Sequence, residues 1–170
     1  MMSRPATVTA MIAAVALVAL TMGSKPAPLL VWNASASAPV GLYRVRPADK
    51  LIVTDLVIAM PPEPLATFLA EGGYLPRGVP LIKRILALPG QSVCRSELLI
   101  SVDGIDMGLA RERDRRGRSL PVWQGCHDIA DREVFLMNRD EPASLDGRYF
   151  GPIPLSSIGG RAEPLWSFDE

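Results

Sequence analysis

Residues 33–43 read NASASAPVGLY, with serine and alanine alternating over positions 34–38. These small side chains leave the backbone accessible to a ligand. Pro39 fixes its own φ and keeps the preceding residue out of the helical region, so Ser37 is predicted to lie on an extended, rigid segment. Gly41 would permit a backbone conformation closed to other residues, and Tyr43 would anchor the far end in a core. Two interpretations stay open: a loop that presents a nucleophilic serine, and a Ser/Ala-rich linker to a domain.

A second informative segment, residues 81–90, reads LIKRILALPG and places one lysine among apolar residues. In a strand, Leu81, Lys83 and Ile85 share one face, which would bury the ammonium group in an apolar layer. Burial disfavours the charged amine and lowers its pKa, and this can turn a lysine into a general base near neutral pH. The alternative is a lysine at a sheet edge whose amine reaches water.

These two segments, together with SLDGRYFG at residues 144–151, resemble the motifs of the type I signal peptidase superfamily, peptidase family S26, whose members cleave with a Ser-Lys dyad. The serine motif is closer to the conjugative transfer peptidases of the TraF type than to the general secretion enzymes, which place Met after the serine. Three positions depart from the family pattern. Gln91 replaces a usual Asp, Gly147 replaces a usual Ser, and NRD at 138–140 replaces a common Gly-Asp-Asn.

The resemblance implies a role for each of several residues. Ser37 would be the nucleophile and Lys83 its general base. The backbone N–H of Ser37 and the hydroxyl of Ser35 would form the oxyanion hole. Ser144 would be the hydroxyl partner of the lysine amine, and Asp146 would support the active site.

Arg148 is also assigned to the support of the active site. Asp146 and Arg148 are two positions apart, so in an extended segment they share a face and can form an ion pair. The alternative is a turn, because Asp-Gly is a common turn dipeptide.

Residues 5–24 contain no charged side chain and would form a helix about 30 Å long, just enough to span a bilayer. Residues 1–25 are therefore predicted to be an N-terminal membrane anchor. Arg4 would stay cytoplasmic, which places residues 26–170, the peptidase domain, on the periplasmic face of the inner membrane. The alternative is a cleavable signal peptide, because residues 34–36 have the small-x-small form of a cleavage site.

The remaining pattern predicts a mainly β fold, and the resemblance implies a signal-peptidase-like twisted antiparallel core with an inserted subdomain at about residues 95–132. Asp103-Gly104 is the strongest hairpin signal in the chain. The predicted hairpin arms are residues 92–102 and 105–109. Further predicted elements are one or two strands within 51–60, broken at Thr54-Asp55, a strand at 133–137 and a short helix at 65–71.

Cys94 and Cys126 are the only cysteines. A cysteine pair outside the cytoplasm is more often joined than free, so a disulfide is predicted. Neither a metal nor a cofactor is expected, because His127 is the sole histidine and the cysteines lack ligand spacing. His127 and Asp128 do not suggest a Ser-His-Asp triad, since adjacent strand residues point to opposite faces.

The sequence is therefore interpreted as a membrane-anchored serine endopeptidase. Its implied substrate is a protein precursor with small residues before the cut. In the conjugative subfamily this would be pilin or another component of the transfer machinery, released by hydrolysis or by cyclisation. One alternative is a general secretory signal peptidase, and another is a catalytically silent β scaffold of an envelope complex.

Charge and aromatic content argue against nucleic acid as a partner. The formal net charge is zero and only 6% of residues are aromatic, so neither a global positive field nor a base-stacking surface is expected. Residues 111–118, which read RERDRRGR, are predicted to be a solvated loop. Contact of this loop with anionic headgroups is the alternative.

Overall fold

The computed structural model describes residues 4–22 and 29–168. Helices α1, α2 and α3 span Arg4–Met22, Leu65–Glu71 and Gly147–Phe150. Eleven strands lie within these residues: β1 (Leu30–Asn33), β2 (Val40–Arg46), β3 (Leu56–Ala59), β4 (Leu81–Ala87), β5 (Ser92–Ser96), β6 (Leu99–Val102), β7 (Ile105–Leu109), β8 (Gly125–Asp128), β9 (Glu133–Leu136), β10 (Ile153–Pro154) and β11 (Ile158–Phe168). The predictions of a mainly β fold and of a helix at 65–71 are confirmed.

Helix α1 lies within the predicted membrane anchor, residues 1–25. The side chains described for it, at residues 5–19, are all exposed. Among the helices of the described ranges, none has the length and hydropathy needed to cross a membrane. Residues 1–3 and 23–25 of the predicted anchor lie outside the described residues.

The larger sheet brings the serine loop and the lysine strand together. Its strand order is β1-β2-β11-β3-β4-β9-β10, and all neighbouring strands are antiparallel. Strand β11 is 11 residues long and pairs with both β2 and β3. Strand β2 follows the serine loop, and β4 carries Lys83. The serine loop and the lysine strand are therefore joined through one continuous sheet.

An apolar core fixes the strand that carries the lysine. Leu81 and Ile85, two positions either side of Lys83, belong to a cluster that also includes Leu69 of α2. Its other buried members are Val57, Ala59, Val134, Leu136 and Ile153. Burying one such side chain stabilises the fold by about 1.5–3 kcal/mol. The position of Lys83 is thus set by packing on both sides of it along β4.

A smaller sheet, with strand order β7-β6-β5-β8, spans residues 92–128. Strands β6 and β7 form the hairpin predicted at Asp103-Gly104, where both residues have positive φ, 50° and 78°. Both residues of a type I′ turn need positive φ, which asparagine, aspartate and glycine tolerate best. The Asp103 carboxylate also accepts a hydrogen bond from the Ser92 N–H at 2.8 Å, which ties the turn to the start of β5.

Turns interrupt two of the predicted strands. The expected arm at residues 92–102 is divided into β5 and β6 by a bend at Glu97, which has a φ of 55°. The turn at Glu97 was not predicted, because it contains neither the glycine nor the proline that usually marks a turn in a sequence. The break expected at Thr54-Asp55 within 51–60 is confirmed, and only the second half forms a strand. Thr54 has a φ of 80°, and the Asp55 carboxylate accepts the Ile52 N–H at 3.0 Å.

A disulfide joins Cys94 on β5 to Cys126 on β8, with an S–S distance of 2.04 Å. The two cysteines are register partners on neighbouring strands. The bond closes a loop across a sequence separation of 32 residues. Most of the smaller sheet lies inside this loop.

Replacing both cysteines by alanine is expected to lower the free energy of unfolding by about 2–4 kcal/mol, because the unfolded chain gains the entropy of an open loop. Catalytic rate per folded molecule should change little. Urea unfolding measures the change in stability, and non-reducing peptide mapping of protein taken directly from cells measures the bond itself. Free thiols on both residues in that protein, or equal stability of the double variant, would contradict the prediction.

Candidate active site

Asn33 organises the loop that carries Ser37. Its side chain is buried at the end of β1, with 6% of the residue exposed. The amide N–H groups donate to the carbonyls of Ser35, Ala38 and Pro39 at 2.9, 2.9 and 3.0 Å. Oδ1 accepts from the N–H and the hydroxyl of Ser35 at 3.1 and 2.8 Å. The loop is therefore wrapped around one buried amide, a role that sequence analysis did not assign to Asn33.

The far end of the loop is fixed at two points. The buried Tyr43 hydroxyl donates to the Pro39 carbonyl at 2.6 Å, so Tyr43 is the anchor that was predicted. Gly41 does not have positive φ, and the expectation of an unusual backbone conformation there is wrong. A Cβ at Gly41 would lie 2.2 Å from the Trp166 carbonyl oxygen. Close approach of β11 is therefore the reason for the glycine.

The hydroxyls of Ser35 and Ser37 lie 3.1 Å apart. A serine hydroxyl has one proton, and that of Ser35 is donated to Asn33 Oδ1. Ser37 is therefore the donor in the serine pair. Within the described residues, no hydrogen bond joins Ser37 to Lys83. The Ser35 hydroxyl would have to turn away from Asn33 before it could donate to an oxyanion.

Lys83 is almost fully buried, with 3% of the residue exposed, as the alternation of β4 predicted. Nζ donates a hydrogen bond to Ser144 Oγ at 2.7 Å. Burial lowers the pKa of Lys83 to about 8, although the nearby Asp146 carboxylate partly opposes this effect. A substantial fraction of the amine is therefore neutral at mildly alkaline pH, and Ser144 is the hydroxyl beside it.

Asp146 and Arg148 form a buried ion pair by a different geometry from the extended one predicted. Asp146 is the N-cap of α3 and accepts from Arg148 Nε and Nη2, both at 2.9 Å. Burial alone would lower the pKa of Arg148, but the Asp146 carboxylate outweighs it and the pKa is raised. Arg148 Nη2 also donates to the carbonyls of Glu141 and Ser144, at 2.8 and 3.2 Å. The pair thereby holds the backbone that presents Ser144 to the lysine.

Asn138 connects the serine loop to the lysine strand, and sequence analysis missed it. Its Oδ1 accepts from the Arg84 N–H at 2.8 Å, and its Nδ2 donates to the Ser37 carbonyl. Its backbone N–H donates to Asp146 Oδ2 at 3.1 Å. One buried residue therefore contacts all three segments of the site. The available signal was a polar residue directly after the apolar run at 134–137.

Ser37 and Lys83 line one cleft with a volume of about 370 Å³. A second cleft, of about 900 Å³, also reaches Ser37 and is lined by the apolar side chains of Val40, Leu56 and Phe168. An extended substrate could pass Ser37 with side chains in both clefts. The arrangement is suited to acyl transfer, since a serine hydroxyl and a neutral amine share one partly enclosed space.

His127 and Asp128 lie on β8 and line neither of these clefts. The exposed His127 places Nε2 2.7 Å from Glu133 Oε2. The structure therefore does not bring the histidine to Ser37. Among residues 4–22 and 29–168, no group of three His, Cys, Asp or Glu side chains could hold a metal ion.

Replacing Asn138 by Asp is expected to slow acylation of Ser37 on the order of 10²-fold. The carboxylate keeps the acceptor for the Arg84 N–H but cannot donate to the Ser37 carbonyl, so the loop shifts relative to the lysine. The measurement is the second-order rate of labelling by a fluorophosphonate probe. Arg139→Gln, at the exposed neighbouring position, is the control. An unchanged labelling rate in a folded Asn138→Asp protein would show that Asn138 does not position Ser37.

The chain is similar in sequence to several known proteins. The profile of the family "Signal peptidase, peptidase S26" matches residues 3–166. The conjugal transfer protein TraF of Agrobacterium fabrum is 34% identical over 149 residues, which are 81% of this chain and 82% of that protein. A plasmid transfer protein TraF of Escherichia coli is 33% identical over 167 residues, 91% of each chain. A signal peptidase I of Enterococcus faecalis is a structural neighbour with 17% identity and a TM-score of 0.40, covering 66% of this chain and 97% of that one. The chain belongs to the signal peptidase family, peptidase S26.

Proposed function

We propose that this protein is a serine endopeptidase in which Ser37 is the nucleophile and neutral Lys83 is the general base. The observation that carries the proposal is the burial of Lys83 beside Ser144 in the cleft that Ser37 also lines. Burial supplies the neutral amine that a general base requires. The ion pair of Asp146 and Arg148 would keep Ser144, and through it the lysine amine, in place.

In the first step, Lys83 Nζ takes the proton of Ser37 Oγ while Oγ forms a bond to the substrate carbonyl carbon. The Ser37 N–H and the Ser35 hydroxyl, once it has turned from Asn33, stabilise the oxyanion. The intermediate collapses, the C–N bond breaks, and the leaving amine takes the proton from Lys83. The result is an acyl-enzyme on Ser37.

In the second step, the acyl group passes to water or to an amine of the substrate itself. Lys83 takes a proton from the attacking group and returns it to Ser37 Oγ as the ester bond breaks. Water gives a linear product with a new carboxylate. A substrate amine gives a cyclic product, whose mass is lower than that of the linear product by one water.

The names of the relatives and the composition of the loop support a substrate class. Several relatives are named conjugal or plasmid transfer proteins, which supports a precursor of the conjugative transfer apparatus, such as a pilin, as the substrate. The Ser/Ala-rich loop would lie beside the substrate residues that precede the cut, and small substrate side chains would fit against it.

The proposal includes an N-terminal anchor at residues 1–25 and a peptidase domain on the periplasmic face. The uncharged run at 5–24 supports the anchor. An exposed aromatic cluster supports a nearby membrane surface: Trp32, Trp166 and Phe168 are 51%, 58% and 50% exposed, and successive ring centroids lie 6.3 and 4.6 Å apart. Alkaline extraction of membranes tests this point, since release of the full-length protein by carbonate would contradict an anchor.

The experiment that tests the function is mass spectrometry of a propilin and a secretory precursor, each incubated with the full-length protein or with its Ser37→Ala variant. Cleavage or cyclisation of the propilin by the unmodified protein alone is the expected result. Cleavage of the secretory precursor alone would indicate a general signal peptidase. No product from either, together with no fluorophosphonate labelling of Ser37, would indicate a catalytically silent scaffold.

A further inference from the structure

The arginine loop, residues 111–118, lies in the same cleft as Ser37 and Lys83. It connects β7 with the segment before β8, and all five of its arginines line the cleft: Arg111, Arg113, Arg115, Arg116 and Arg118. The sequence pattern predicted a solvated loop. The side chains are indeed largely exposed, but they face the site where a substrate would bind.

Hydrogen bonds hold the loop in a defined position. Asp114 accepts from the backbone N–H groups of Arg116 and Arg118 at 2.8 and 2.9 Å, and from Arg118 Nε at 2.7 Å. Tyr74 donates its hydroxyl to Asp114 at 2.7 Å, and the Arg118 guanidinium stacks on the Tyr74 ring at 4.3 Å. Arg118 also donates to the Gly72 carbonyl at 2.6 Å. The loop is thus fastened to the segment that follows α2.

The same contacts leave a local excess of positive charge. Asp114 and Glu141 are the acidic residues that line the cleft, and Asp114 is paired with Arg118. Glu141 lies 3.9 Å from Arg115, a long contact with a mostly exposed partner. Within the described residues, no hydrogen bond or ion pair engages the guanidinium groups of Arg111 and Arg116. Two arginines are therefore available to a ligand in the cleft.

We propose that the arginine loop selects substrates with acidic side chains next to the bond that is cut, and that Arg111 and Arg116 bind their carboxylates. This inference rests on the proposed function, because it places a peptide in the cleft of Ser37 and Lys83. A guanidinium group matches a carboxylate through two parallel N–H···O bonds, which gives both affinity and geometric selection.

The position of the loop favours a peptide over lipid headgroups. The arginines share a cleft of about 370 Å³ with the catalytic pair. The exposed Trp32 and Trp166 line neither cleft, and Phe168 lines only the second one, so the surface suited to a membrane lies outside the arginine-lined cleft. An anion in the cleft would therefore sit beside Ser37.

The test compares two fluorescein-labelled peptides, AEAEAEA and AQAQAQA, which differ only in charge. Full-length Ser37→Ala protein in detergent is expected to bind the Glu peptide about tenfold or more tightly than the Gln peptide, with the preference falling as salt is added. Arg111→Gln/Arg116→Gln in the same background should lose the preference. Arg44→Gln/Arg132→Gln removes the same charge at exposed positions outside the cleft and should keep it.

Cleavage of a random peptide library by the protein with an intact Ser37 separates the acidic preference from the peptidase function on which it rests. Enrichment of Asp or Glu next to the cut, lost in the Arg111→Gln/Arg116→Gln variant, is the expected result. Ser37-dependent cleavage without such enrichment would overturn the acidic preference and leave the peptidase intact. Arginine-dependent binding of the Glu peptide with no cleavage would overturn only the peptidase. If the double substitution abolishes binding to phosphatidylglycerol vesicles and leaves peptide discrimination unchanged, the loop binds headgroups and the proposal is wrong.

Discussion

Replacing Ser37 by Ala is expected to reduce peptide cleavage by a factor on the order of 10⁴ or more, because no other group in the cleft would form the acyl-enzyme. The fold should survive. Among the described residues, the only hydrogen-bond partner of the Ser37 side chain is Ser35, and the loop is held mainly by Asn33 and Tyr43. Mass spectrometry of the products and thermal unfolding of the same preparation measure the two effects.

Ser35→Ala is the matched variant in the same loop. It removes one proposed oxyanion donor and should cost on the order of 10² to 10³ in rate, less than Ser37→Ala. Because Ser35 also donates to Asn33, its loss should lower thermal stability more than the loss of Ser37. Normal turnover by a Ser37→Ala protein free of contaminating peptidase would end the serine mechanism.

The parts of the site that sequence analysis located are those specified by neighbouring residues. Alternation along β4 was enough to predict that Lys83 faces apolar neighbours, because side-chain direction in a strand depends only on position. The Asp103-Gly104 hairpin is likewise a local property of two residues. The spacing of Asp146 and Arg148 was enough to predict that they pair, although a helical turn and not an extended segment brings them together.

The parts that sequence analysis missed depend on residues far apart in the chain. Asn138 acts on Ser37 and Arg84 across a sheet whose strand order no local pattern gives. Gly41 is required by a carbonyl on β11, more than 120 residues later. The arginine loop was interpreted as solvated because its composition is that of an exposed segment. Its place in the cleft follows from contacts with Tyr74 and Gly72.

The reason for Gly147, at a position where the family usually has serine, also could not be predicted from the sequence. A Cβ at this residue would lie 2.7 Å from the Leu136 carbonyl oxygen and 2.8 Å from the Phe135 ring. The absence of a second serine is therefore explained by packing of α3 against β9. The sequence could show the departure, but its cause lies in tertiary structure.

Lys83→Met and Lys83→Arg are both expected to be inactive, with losses on the order of 10³-fold or more. Methionine cannot accept a proton, and the arginine guanidinium does not deprotonate in proteins. In the unmodified protein, kcat/KM should rise with pH through an apparent pKa near 8, the pKa of Lys83 as lowered by burial. This apparent pKa is measured from kcat/KM for one peptide substrate over a range of pH.

Stability provides a second readout, on which Lys83→Met should have the opposite effect from its effect on activity. The folded state binds fewer protons than the unfolded state between the folded pKa of about 8 and the ordinary value of 10.5, so stability should rise with pH across that window. Below about pH 8 the protonated amine costs the folded state about 3 kcal/mol. Lys83→Met removes this cost and should unfold at or above the temperature of the unmodified protein at pH 7, which distinguishes a missing base from a damaged fold.

His127→Ala is the control, because His127 pairs with Glu133 on the surface and lines neither cleft. It should retain full activity and the same pH profile. If His127→Ala were folded and inactive while Lys83→Met still turned over, a histidine-assisted serine mechanism would replace the dyad. If Lys83→Arg kept the activity and pH profile of the unmodified protein, residue 83 could not be the base, since a permanently charged side chain has no lone pair to accept the proton from Ser37 Oγ.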